Sequence, residues 1–180
     1  MMELKNKRLA ALWSTSKYDS QKTKKNKPID GDFIFNSLFS VGAFASRKET
    51  SIQKKFARTT SDRLLSKLKK HRDDVAASAE EIRKKMAMLE INANHSTNTY
   101  PIDIDNKRFT PETIMLMKIF IETDAYFFEL YKASRNGELT NDEHHQLRSE
   151  NVRSLMTLLN EVNKACVSFH KARKEIGDTK

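Results

Sequence analysis

A single cysteine, four glycines and three prolines in 180 residues leave little material for a disulfide framework or for a turn-rich sandwich or barrel. No uninterrupted apolar run approaches the roughly 18 residues of a membrane span, so the sequence predicts no membrane partner. The apolar "LAALW" near the start is too short for a signal-peptide core and lacks a convincing cleavage site. These absences predict a mostly helical protein of the reducing cytoplasm. Also missing are a Gly-rich phosphate loop, a nucleophile elbow and any Cys-His or Ser-His pairing at a justifiable spacing, so the chain is expected not to be an enzyme and to need no cofactor.

Charge is what the sequence has in quantity. Charged residues make up 32% of the chain, with a net charge of +9. Residues 1–72 hold 18 Lys and Arg against 6 Asp and Glu, a balance of +12, whereas residues 73–180 hold 15 against 18, a balance of −3. Such asymmetry favours a polyanionic partner, nucleic acid before membrane, because Lys and Arg near phosphates release condensed counterions. The plainer alternative is a solvated surface kept soluble by its charge.

Hydrophobic periodicity divides the chain. Residues 1–30 read as a basic, partly disordered segment: residues 1–13 suit a short amphipathic helix, and "SKYDSQKTKKNKP" a mobile linker carrying Lys22, Lys24, Lys25 and Lys27. Residues 31–180 read as one helical domain. Its first element is "DFIFNSLFSVGAF", a dense apolar cluster on a short helix. A long basic helix over residues 51–90 follows, capped by Ser51, with Leu64, Leu68, Val75, Ala79, Ile82, Met86 and Leu89 advancing by threes and fours. His71 stands in that seam where a hydrophobe is expected. A straight helix of about 40 residues would span roughly 60 Å, which suggests a hairpin, a kink or a dimeric coiled coil.

The stretch "NTYPIDIDNKRFTPETIML" differs from its surroundings. Tyr100, Ile102 and Ile104 alternate with Thr99, Asp103 and Asp105, the period of a strand, and the spacing predicts one over residues 98–108. Thr110 then caps a helix, Pro111 fits its first position and Glu112 favours the positive end of its dipole. Gly137 is placed to stop that helix, and Thr140 or Asn141 begins the last one.

Candidate metal sites are weak. His144 and His145 are adjacent, so on a helix they diverge by about 100° and do not readily chelate one ion. "KASRNGELTNDE" has the spacing of a calcium loop, but Lys132 puts a cation where the first carboxylate ligand belongs. Cys166 lies on an apolar seam and reads as core.

A lone strand followed by two helices has one economical solution: two chains pair their strands antiparallel across a two-fold axis, with four helices covering one face of the ribbon. The order of strand, helix, turn and helix over residues 97–170 resembles the ribbon-helix-helix fold. The chain as a whole resembles the AcaB-type regulators encoded by conjugative plasmids and integrating conjugative elements, through "FNSLFSVGAFASR", "YPIDIDNKRFTPE", "FIETDAYFFEL" and "ENVRSLMTLL". That resemblance implies a homodimeric, DNA-binding transcriptional activator of transfer genes.

The sequence therefore predicts a mainly α protein with one short β-strand per chain, a ribbon-helix-helix-like homodimer with added N-terminal helices, binding double-stranded DNA. Tyr100, Ile102 and Ile104 would form the dimer ribbon. Thr99, Asn106, Lys107 and Arg108 would contact bases, and Lys22, Lys24, Lys25, Lys27, Lys54, Lys55 and Arg58 phosphates. The two aspartates of the strand fit such a reading face poorly unless they accept from cytosine amino groups, which leaves two explanations: the ribbon serves mainly to dimerise while the basic N-terminal half grips DNA, or the strand register is shifted by one. The alternative function is a non-enzymatic helical adaptor or assembly protein; RNA binding lacks an evident aromatic platform.

Overall fold

The computed structural model describes residues 2–19, 28–48, 51–86 and 98–178. The elements run β1 (Met2–Leu4), α1 (Lys7–Trp13), α2 (Thr15–Tyr18), α3 (Gly31–Ala45), α4 (Ile52–Lys85), β2 (Tyr100–Ile102), a 3-10 turn (Asn106–Arg108), α5 (Pro111–Arg135) and α6 (Asn141–Asp178).

The helix starts follow from local chemistry. Ser51 Oγ accepts from Lys54 N at 3.1 Å and opens α4. At α5, Thr110 and Thr113 form a reciprocal box, each side chain accepting from the other's backbone N–H, with Pro111 next in line. Thr140 and Glu143 do the same ahead of α6: Thr140 N donates to Glu143 Oε2 at 2.8 Å and Glu143 N to Thr140 Oγ1 at 3.2 Å. Gly137, at φ 79°, supplies the left-handed residue that ends α5.

Four helices make the core. α5 is buried round most of its circumference, with Leu116, Ile119, Phe120 and Leu130 fully enclosed, and α4, α3 and α6 pack round it. The apolar seam of α4 packs against α3, α5 and α6 of its own chain along a continuous helix of 34 residues, about 51 Å at the ideal rise. Residues 87–90 of the expected helix lie outside the described residues. Glu112 is buried at the start of α5, where Ser61 Oγ on α4 donates to its Oε1. On α3 a Cβ at Gly42 would come within 2.9 Å of the other Glu112 oxygen, so only glycine lets the helices approach this closely.

Three expectations about the N-terminal half and the strand are corrected. Among the described residues there are two strands, not one: β1 pairs antiparallel with β2, Met2 opposite Ile102 and Leu4 opposite Tyr100. Residues 1–13 are accordingly not one helix, since the strand precedes α1 and Asn6 Oδ1 caps the latter by accepting from Arg8 N and Leu9 N. β1 is held there by more than the ladder. Asp124 on α5 accepts from Lys5 N at 2.8 Å and Asn6 N at 2.9 Å, and Trp13 packs edge-on to Phe120 at 4.8 Å. Leu4, Leu9 and Trp13 are thereby part of the core. The strand expected over residues 98–108 is shorter, because the chain turns into a 3-10 segment once Asp105 Oδ1 accepts from Lys107 N. Within β2 the alternation is kept: Ile102 is buried, Tyr100 and Ile104 half-buried, and Thr99, Pro101, Asp103 and Asp105 exposed.

Candidate nucleic-acid interface

Between residues 51 and 72, α4 carries eight Lys and Arg and a single acid, Asp62. Seven of its side chains, Ala57, Ser61, Leu64, Leu68, Val75, Ala79 and Ile82, point inward at helical spacing, which leaves the cations to the outer surface. Two of them are paired, Lys67 with Glu161 of α6 at 2.5 Å and Arg72 with its neighbour Asp73 at 2.5 Å. Lys54, Lys55, Arg58, Arg63, Lys69 and Lys70 have no ion pair among the described residues. Lys55 and Arg58 are fully on the surface and Lys54 is half-buried, so these three predicted phosphate contacts stand together on the first turns of the helix. Lys22, Lys24, Lys25 and Lys27 lie outside the described residues.

The predicted base contacts sit elsewhere, Thr99 just before β2 and Asn106, Lys107 and Arg108 on the loop that follows it. Thr99, Asn106 and Lys107 are exposed. Arg108 is committed to holding the loop: Nη1 donates to Asn36 Oδ1 on α3, Nε lies 3.4 Å from Asp105 Oδ2, and the guanidinium stands 5.9 Å from the Phe39 ring centroid. The aspartates that fit a groove poorly have partners inside the chain. Asp103 takes Lys17 at 2.9 Å, and Asp105 caps the turn and faces Arg108. The Pro101 carbonyl accepts from Tyr18 Oη at 2.5 Å and Lys17 Nζ at 3.1 Å. Tyr100, Ile102 and Ile104, expected to form a ribbon between copies, pack against their own chain.

A groove between α4 and α6 was not legible beforehand. It consists of two hollows of about 240 and 160 Å³ that share the Lys67–Glu161 bridge. α4 contributes Arg63, Lys67 and Lys70, and α6 contributes the hydroxyls of Ser154, Thr157 and Ser168. Cations facing hydroxyls are the usual partners of phosphate oxygens. At one end Phe56 stacks on Phe169 with centroids 5.5 Å apart. At the other lies His71, whose Nε2 is buried without a hydrogen-bond partner and whose pKa burial holds below the ordinary value, against a smaller opposing pull from Asp74.

The other chemically notable residues are inert or dispersed. Burial, then the charge of Glu112, pushes the Cys166 thiol up to about 12. The His144 and His145 rings are 5.3 Å apart, and among the described residues no group of three or more His, Cys, Asp or Glu is placed to hold a metal ion. No helix among them is long and apolar enough to cross a membrane. Comparison of the chain with protein-family models, with curated proteins and with solved structures returns no match.

Proposed function

We propose that this chain is a non-enzymatic, DNA-binding transcriptional regulator that grips the phosphate backbone with the outer face of α4. The observation that carries the reading is the set of six cations without ion-pair partners on one helix. On an ordinary solvated helix, acids at three- and four-residue spacing neutralise such charges. Here the first half of α4 offers one acid. Six phosphate contacts would give log affinity against log salt a slope near −5, and partial engagement about −3. The resemblance to regulators of conjugative transfer supplies the proposed context, activation of transfer genes by a homodimer. That dimer would form outside the β1–β2 pair, because β2 already has β1 as a strand partner and α2 donors on the Pro101 carbonyl.

The test is a salt titration of binding to upstream duplex DNA. A steep linear slope with preference for one sequence supports the reading, and absence of binding at 50 mM salt or below overturns it. A helical adaptor is the second reading. It is favoured by Ile114 and Ile121, which stand 38% and 47% exposed two turns apart on the outer face of α5. Ile114→Glu with Ile121→Glu leaves DNA affinity unchanged under the first reading.

A further inference from the structure

Where the N-terminal segment meets α5 and α6, one cation is set into the protein without a carboxylate to match it. The half-buried Arg148 donates from Nη2 to Asn6 Oδ1 at 3.1 Å and lies 5.2 Å from the Phe127 ring centroid. Its Nε is buried and has no hydrogen-bond partner. Among the described residues no acid lies within ion-pair distance of it. Positive charge accumulates round it: Lys5 stands over the Phe128 ring, and burial, then the charge of Arg8, holds Arg148 below the ordinary guanidinium range. His144 is likewise held low, by burial, then by Arg148 and His145. The one carboxylate at the site, Asp124, is occupied by the backbone N–H groups of Lys5 and Asn6.

A cavity of about 100 Å³ opens in front of these groups, between Asn6, Asp124, Tyr131, His144 and Arg148, with Phe127 and Phe128 as its wall. That is room for a small oxyanion. A buried charge with an unsatisfied donor is costly, and an anion that met it would recover much of that cost. Donors reach the cavity from three elements, which suits tetrahedral oxygens better than a planar carboxylate.

We propose that this cavity is a binding site for a small phosphate, either inorganic phosphate or a compact phosphomonoester, with Arg148 as its principal ligand and His144 and Lys5 in support. Because Lys5 and Asn6 belong to the N-terminal segment and Arg148 to α6, an occupied site pins that segment to the helices. The inference is independent of DNA binding by α4.

The test measures thermal unfolding of the full chain and the His144 titration by proton NMR, with inorganic phosphate or glycerol phosphate replacing chloride at constant ionic strength. Expected are a saturable rise in Tm and a His144 pKa raised by about 1, as an opposite charge nearby requires. A rise with inorganic phosphate alone identifies the free ion as the ligand, and a larger rise with the ester identifies the monoester. Arg148→Met should abolish both effects, and Arg148→Lys should weaken binding about tenfold through loss of the planar fork. Lys55→Gln with Arg58→Gln should leave both intact. A His144 pKa indifferent to phosphate, an equal Tm response to chloride, or a response that follows Lys55 and Arg58 overturns the proposal.

Discussion

The outer face of α4 and the loop after β2 are both exposed and both carry cations, yet their charges stand differently. On the loop, Lys17 meets Asp103, Arg108 meets Asp105 and Asn36, and the Pro101 carbonyl is covered from α2. Those charges close a joint. On α4 five cations face solvent and a sixth, Lys54, is half-buried, none with an ion-pair partner among the described residues. The difference lies in the acids within reach, and it teaches that a count of cations locates a polyanion surface only after the paired ones are removed.

The joint is where a single change should cost most. Ile102→Asp places a carboxylate at a position 2% exposed and should lower stability by about 3–5 kcal/mol, read as a fall in Tm. Because β2 pairs within the chain, the loss should appear as unfolding whether or not copies associate; an unaltered Tm with a dissociated dimer would return the strand to a ribbon between copies. On the other side of the comparison, Lys55, Arg58, Arg63 and Lys70 changed together to Gln should weaken duplex binding about 10²- to 10³-fold and flatten the salt slope by about 4. Thr99→Ala with Lys107→Gln should change affinity less than about threefold. Equal losses from the two sets would erase the distinction drawn here.

How much of this was legible depends on how local the cause is. Ser51, Thr110, Thr140 and Gly137 act within one turn of themselves, so the starts of the three long helices and the end of α5 could be read from the residues. The partner of β2 could not. β1 is three residues long, is followed directly by helix-forming residues and lies almost 100 positions away. The α4–α6 groove escaped for a similar reason, since Ser154, Thr157 and Ser168 are ordinary surface hydroxyls until α6 is laid beside Arg63 and Lys70. His71 was a readable anomaly, a histidine in an apolar seam.

The smaller predictions probe that core. The Cys166 thiol is pushed from 9.0 to about 12 in the fold, so between those values the unfolded chain loses a proton that the native one keeps. Stability should therefore fall with rising pH by about 1 kcal/mol per pH unit across that window, and the difference between wild type and Cys166→Ala isolates it from other titrations. His71 has its pKa depressed, so its share of stability is present above the ordinary 6.5 and is lost as pH falls below it. His71→Leu should remove the unpartnered nitrogen, raise stability by about 1 kcal/mol and remove that acid-side loss, measured by denaturant midpoints at pH 5 and 7.5.

The pairing of β1 with β2 also has a consequence in time. During synthesis Leu4 and Trp13 are made ahead of the strand and the Asp124 carboxylate that receive this segment, which follow about 100 residues later. At roughly 5–20 residues per second the segment waits about 5–20 s with its apolar side chains uncovered. For that interval these apolar side chains lack the surface that covers them in the fold, and the nascent segment is open to wrong contacts.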